Sequence, residues 1–169
     1  CKILHGDELK REIERCVVAC QNSATQLFIN DHWREAIAAG AYGVHLGQED
    51  MDTADLAAIE AAGLRLGLST HSVAELDRAL SVQPSYVASG AIFPTTTKQM
   101  PTAPQGLEKL REYVKQARGI PVVAIGGIDL NNAEDVLATG VSSLAVVRAV
   151  TEAENPEAVV KAFQALWDE

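Results

Sequence analysis

The chain is 169 residues long and 47% hydrophobic, enough to bury one sizeable core and too apolar for a disordered or fibrous protein. Its 14 Lys and Arg stand against 23 Asp and Glu, a formal net charge of −9 that argues against a nucleic-acid footprint, which needs a basic face. An anionic substrate fits that balance only if its site gathers cations, a metal ion or helix N-termini locally. No apolar run reaches the roughly 18–20 residues of a membrane span, and the opening residues do not read as a signal peptide. Cys1, Cys16 and Cys20 lack zinc-type pairing. Cys16 and Cys20, on one expected helix, read as reduced core thiols of a cytoplasmic protein.

In chain order, a helix is expected near 7–21, a strand near 26–30, a helix at 33–39 and a strand at 42–46. A helix at 53–62, a strand at 64–69, a helix at 72–81 and a strand at 85–90 follow. The remainder reads as a helix at 105–117, a strand at 121–126, a helix at 131–139, a strand at 143–147 and a helix at 156–167. One phrase recurs: a helical stretch, then Ala-x-Gly, then a short apolar run. It ends in Gly40 before Tyr42–Leu46, in Gly63 before Leu64–Leu68, and in Gly140 before Ser143–Val147. Glycine just past a helix end takes the left-handed position without a steric penalty, and the apolar run suits a buried parallel strand. Pro156 falls at a first helical turn, where a missing N–H costs little.

Strict alternation of strand and helix implies a parallel sheet, either open and doubly wound or closed as a barrel. No G-x-G-x-x-G follows the early strands, which weakens the dinucleotide-binding reading. Polar residues instead gather wherever a strand ends, and a barrel places its active-site groups on that one rim. The barrel is therefore favoured, as a single domain spanning 1–169.

Asp31 and Asp50 follow two consecutive strands, one βα unit apart. Two carboxylates at neighbouring strand ends suit Mg²⁺, which keeps several waters and shares substrate phosphates; alternatively each is an N-cap for the next helix. Thr95-Thr96-Thr97-Lys98 opens a long loop after Phe93-Pro94. Its hydroxyls, backbone N–H groups and lysine supply what a pyrophosphate needs, or they form a Thr/Pro-rich surface loop. Gly126-Gly127 ends a strand where barrels commonly bind phosphate, with Val147-Arg148 ending the next strand. His45 reads as a packed strand residue. His32 and His71 border rim loops, either as site residues or as exposed caps, and His5 is uninformative. Trp33, Trp167 and the other aromatics read as packing residues.

Taken together, Phe28-Ile29-Asn30-Asp31, Tyr42–Asp50, Gly67-Leu68-Ser69-Thr70-His71, Phe93–Lys98 and Ala124-Ile125-Gly126-Gly127-Ile128 resemble the thiamine-phosphate synthase family, in order and across essentially the whole chain. The resemblance implies a (β/α)8 TIM barrel and a cytoplasmic transferase of thiamine biosynthesis. It joins hydroxymethylpyrimidine diphosphate to a thiazole phosphate and releases pyrophosphate. It implies Asp31 and Asp50 as Mg²⁺ ligands; Asn30, Ser69 and Lys98 as contacts to the pyrimidine diphosphate, with Lys98 and Ser69 catalytic. Thr95, Thr96, Thr97, Gly127, Val147 and Arg148 fall on the thiazole-phosphate pocket. The partners implied are these small molecules, not nucleic acid or membrane. Little acid–base chemistry is required if the C–O bond breaks dissociatively, in keeping with the lack of any triad-like grouping.

Two departures accompany the resemblance. Arg148 stands where the family usually carries Ser. The family's Gln-x-Arg-x-Lys motif retains only its lysine, at Lys2, so the first strand, its helix and most of the second strand are expected to be missing from this chain. Six strands would leave two sheet edges exposed, open to a supplied segment or to a second copy as a homo-oligomer. The rival readings are a thiazole tautomerase-like isomerase, which departs from the family at segments intact here, and a non-catalytic thiazole-phosphate-binding remnant.

Overall fold

The computed structural model describes residues 4–97 and 102–167. The chain divides into two compact units, Cys1–Ser69 and Thr70–Glu169.

The first unit begins with α1 (Gly6–Cys20), followed by β1 (Phe28–Asn30), α2 (Trp33–Ala39), β2 (Gly43–Leu46), α3 (Gln48–Thr53), α4 (Leu56–Ala61) and β3 (Arg65–Thr70), whose last residue opens the second unit. β1 pairs parallel with β2, with Asn30 opposite His45, and β2 pairs parallel with β3, with His45 opposite Gly67. Parallel pairing brings the carboxyl ends of the three strands to one side. Val44 and Leu46 of β2 are completely buried, with Ile29, Ile59 and Leu68 beside them in the core, as expected of a strand covered on both faces.

The second unit carries α5 (Val73–Leu80), β4 (Tyr86–Gly90), α6 (Gly106–Gln116), β5 (Val122–Ile125), α7 (Ala133–Leu137), β6 (Ser143–Ala145), α8 (Arg148–Thr151) and α9 (Pro156–Ala165). β4, β5 and β6 form consecutive parallel pairs, with Ala88 opposite Val123 and Ala124 opposite Leu144. Its core holds Leu76, Val87, Leu110, Tyr113, Val122, Ala124 and Val136. Three helix starts are capped by side chains: Asp55, Ser72 and Asn155 each accept a backbone N–H with a side-chain oxygen.

The glycines of the recurring phrase have φ of 64° at Gly40, 73° at Gly63 and 90° at Gly140, the left-handed geometry expected at helix ends. Most expected elements lie within a few residues of the observed ones. Two short helices were not expected. α3 forms where Gly47–Asp50 reads as a rim loop, because the Asp50 carboxylate closes a capping interaction with the Gly47 N–H; the next helix then starts at Leu56, not at 53. α8 begins at Arg148, read as a strand end, because β6 stops at Ala145. Cys16 and Cys20 are free thiols but half-buried, not core; the buried face of α1 is Leu9 and Ile13. Trp167 is 48% exposed rather than packed, whereas Phe28 and Tyr42 pack edge to face at 5.5 Å.

Candidate active site at the strand ends

In the first unit, four of the expected site residues lie at or beyond the carboxyl ends of adjacent strands. Asn30 closes β1 and is exposed. Asp31, half-buried, has φ 65°, a left-handed conformation uncommon for a residue with a Cβ. Its N–H donates to the His45 carbonyl at 2.9 Å, which ties the end of β1 to β2. Such backbone outliers persist only where their surroundings over-determine them, and they concentrate at functional positions. Asp31 is not an N-cap, since that position of α2 belongs to His32, whose side chain makes no capping bond. Asp50 does act as a cap: its Oδ2 accepts the Gly47 N–H at 3.0 Å. A carboxylate has a second oxygen, so this bond is compatible with cation binding.

Ser69 lies near the end of β3. Its carbonyl accepts the Gln48 Nε2–H at 2.7 Å, and its hydroxyl lies 2.8 Å from His45 Nε2. Burial pushes His45 down to about 4, against the opposing pull of the Asp50 carboxylate, so the imidazole is neutral at neutral pH. His45, read from the sequence as packing, is thus half-buried and hydrogen-bonded to an expected site residue. The available signal was its position between Val44 and Leu46, a polar residue alternating with completely buried ones.

Among the described residues, no group of three His, Cys, Asp or Glu could hold a metal ion. Two carboxylates at adjacent strand ends suit a hard cation that takes its remaining ligands from water and phosphate, not one that needs a cage made wholly of protein.

In the second unit, the Phe93 N–H donates to the Gly126 carbonyl at 3.0 Å. Gly127 has φ 68°, and a Cβ there would come within 2.6 Å of the Pro94 carbonyl oxygen. Glycine is therefore required by the close approach of two backbone segments, whatever ligand the turn also meets. Thr95 Oγ1 accepts the Thr97 N–H at 3.3 Å. The Arg148 side chain, from the start of α8, donates through Nη1 to Thr96 Oγ1 and through Nε to Glu152 at 2.9 Å. Gly127, Thr96 and Arg148 thus belong to one unit, and the link from Arg148 to Thr96 was not anticipated. Val147 is 49% exposed. His71 is engaged locally, its N–H and Nδ1 both meeting Glu75 Oε2 at the start of α5. Lys2 and Lys98 lie outside the described residues.

Residues 1–150 match the family model described as thiamine monophosphate synthase. The chain is 90% identical over 168 residues to the thiamine-phosphate synthase of Neisseria meningitidis serogroup B, covering 99% of this chain and 82% of that protein. It is 54% identical over 149 residues to the thiamine-phosphate synthase of Citrobacter koseri, covering 88% of this chain and 71% of that protein. Among solved structures it is similar to thiamine phosphate pyrophosphorylase from Pyrococcus furiosus, with a TM-score of 0.87 at 33% identity over 99% of this chain and 80% of that one. Likeness to a 3-hexulose-6-phosphate synthase, TM-score 0.70 at 15% identity over 96% of this chain and 84% of that one, is of fold alone.

Proposed function

We infer the division of labour among the strand-end residues from one fact: the chain belongs to the thiamine monophosphate synthase family. Its fold class is the TIM-barrel type of α/β protein with parallel strands, and its activity is that of a transferase, thiamine-phosphate synthesis from a pyrimidine diphosphate and a thiazole phosphate. The tautomerase reading is not favoured.

In the proposed reaction, the bond between the pyrimidine methylene and the diphosphate oxygen breaks, and its electron pair leaves with pyrophosphate. The thiazole nitrogen gives its lone pair to the methylene carbon, completing thiamine phosphate. The aminopyrimidine ring spreads the positive charge that builds on the methylene. No side chain then has to move a proton, so the protein's part is positioning and electrostatics.

Asp31 and Asp50 would hold Mg²⁺, which supplies charge neutralisation for the diphosphate when bound. Asn30 and Ser69 orient the pyrimidine diphosphate from the same side of the first unit, and Lys98 would supply positive charge to the departing pyrophosphate. Thr95, Thr96, Thr97, Gly127, Val147 and Arg148 receive the thiazole phosphate, and Lys2 adds positive charge toward the diphosphate. The observation that carries this reading is that Asn30, Asp31, Asp50 and Ser69 lie at or beyond the carboxyl ends of three consecutive strands, β2 pairing parallel with both β1 and β3, with Asp31 held in a left-handed conformation. No helix among the described residues is long and apolar enough to cross a membrane. The free thiols of Cys16 and Cys20 support a cytoplasmic location.

The test is a coupling assay that follows thiamine phosphate and pyrophosphate together. The expected result is equal formation of both, dependent on both substrates and abolished by chelation of divalent cations. Binding of thiazole phosphate without release of pyrophosphate would favour the non-catalytic reading.

A further inference from the structure

We propose that His45 is a positioning residue for the diphosphate: its Nε2–H donates to Ser69 Oγ, which leaves the Ser69 hydroxyl proton for a diphosphate oxygen. This rests on Ser69 being a diphosphate contact, as assigned above.

The geometry comes from two paired strands. His45 lies opposite Gly67, and Ser69 is two residues further toward the same carboxyl end. Alternate residues of a strand share a face, so a long side chain leaning along β2 can reach the Ser69 hydroxyl, and Nε2 does so at 2.8 Å. Both main chains are held independently of that contact. The Ser69 carbonyl accepts the Gln48 amide at 2.7 Å, and the His45 carbonyl accepts the Asp31 N–H at 2.9 Å. The imidazole therefore joins two strand ends that are already fixed, and the remaining freedom is the rotation of one O–H bond.

That rotation has consequences because a hydroxyl has one proton and two lone pairs. If Ser69 gave its proton to Nε2, it would turn only lone pairs toward the diphosphate, and oxygen would face anionic oxygen. If Nε2–H is the donor, the hydroxyl proton is left to donate, and that charge-assisted bond strengthens as the departing oxygen gains charge. Nε2 is the ring nitrogen that meets the Ser69 hydroxyl, so whether it carries a proton decides between these outcomes. The assignment is thus Nε2 protonated.

The experiment uses the full chain with Mg²⁺ and varied pyrimidine diphosphate. His45→Phe fills the volume of the ring without its N–H, and should lower kcat/KM for the pyrimidine diphosphate about tenfold, the usual effect of losing one oriented hydrogen bond. KM for the thiazole phosphate should stay unchanged. His45→Gln, which returns an amide N–H near the Nε2 position, should recover most of the loss. In a Ser69→Ala background, His45→Phe should cost nothing more, because its effect runs through the hydroxyl. The imidazole ¹⁵N spectrum of the parent chain at neutral pH should show Nε2 protonated. Losses that add in the double variant, equal effects on both substrates, or a ring unprotonated at Nε2 would each overturn the assignment. Should the parent chain itself form no thiamine phosphate, the reaction assigned above fails instead, and the ¹⁵N spectrum still reports on the pair.

Discussion

Arg148, the first residue of α8, reaches across 52 positions of sequence to donate to the Thr96 hydroxyl, while its Nε is held by Glu152. A guanidinium tied to a Thr-rich loop at one end and to a carboxylate at the other is partly neutralised yet fixed in place. If the thiazole phosphate binds here, Arg148 offers charge in place of a small hydroxyl residue. Arg148→Ser should raise KM for the thiazole phosphate about fivefold, in keeping with one partly exposed charged contact, and leave kcat nearly unchanged. Glu152→Gln, which frees the guanidinium, should lower that KM. Steady-state kinetics with varied thiazole phosphate separate the two, and an unchanged KM in Arg148→Ser would assign the side chain to the protein surface alone.

Asp31 and Asp50 can be tested without breaking the fold. Asn tolerates the left-handed region as well as Asp does, so Asp31→Asn keeps the φ of 65°. Asn can also accept the Gly47 N–H with its carbonyl oxygen, so Asp50→Asn keeps the capping bond. Each change should weaken Mg²⁺-dependent binding of the pyrimidine diphosphate at least tenfold, or about 1.4 kcal/mol, at nearly unchanged Tm. Calorimetric titration of the diphosphate with and without Mg²⁺ reads the difference. Parental metal dependence in both variants would leave the carboxylates with backbone roles only.

The strand ends were legible from sequence because each polar cluster directly follows an apolar run: Asn30-Asp31 after Phe28-Ile29, and Ser69-Thr70-His71 after Leu66-Gly67-Leu68. The recurring Ala-x-Gly was legible because a left-handed residue at a helix end is a local requirement. What escaped depends on register or on distance. The contact between His45 and Ser69 needs the pairing of β2 with β3, which periodicity within one strand does not supply. The link between Arg148 and Thr96 joins segments far apart in the chain. α3 escaped for a different reason: a glycine and three polar residues after a strand fit a rim loop equally well until Asp50 is seen to cap Gly47. The left-handed Asp31 has no sequence signature apart from its residue type.

Burial pushes the Tyr86 phenol, at the start of β4, up to about 12. The folded state favours the neutral phenol, so this contribution is complete below the unfolded value of 10 and is lost as pH rises from there through 12. The unfolded chain releases its proton first in that window, so stability falls with rising pH, by less than the roughly 2.7 kcal/mol of two full pKa units because solvent screens the partly exposed phenol. Tyr86→Phe should flatten the alkaline slope of unfolding free energy by roughly one proton. Urea titrations of parent and variant across that range provide the comparison, and identical slopes would show that Tyr86 ionises freely in the folded chain.

Lys98 follows Thr95-Thr96-Thr97, a segment in which the Thr95 hydroxyl oxygen accepts the Thr97 N–H and so shapes the backbone leading to the lysine. Its assigned partner is the departing pyrophosphate. In the ground state the ester oxygen shares its electrons with the methylene carbon; as the bond breaks, that oxygen gains most of a negative charge. An ammonium beside it therefore gains more in the transition state than in the bound substrate, and such differential binding appears in kcat. Lys98→Ala should lower kcat by about 10²–10³-fold, on the order of 2–4 kcal/mol of barrier, while the affinity for pyrimidine diphosphate, measured directly in the absence of thiazole phosphate, should change far less. Lys98→Arg keeps the charge but not its compact form, and should recover part of kcat. Rapid-quench measurement of a single turnover isolates the bond-breaking step from product release. A Lys98→Ala enzyme with weakened substrate affinity and a parental single-turnover rate would make the lysine a ground-state anchor, with the charge of the leaving group borne elsewhere.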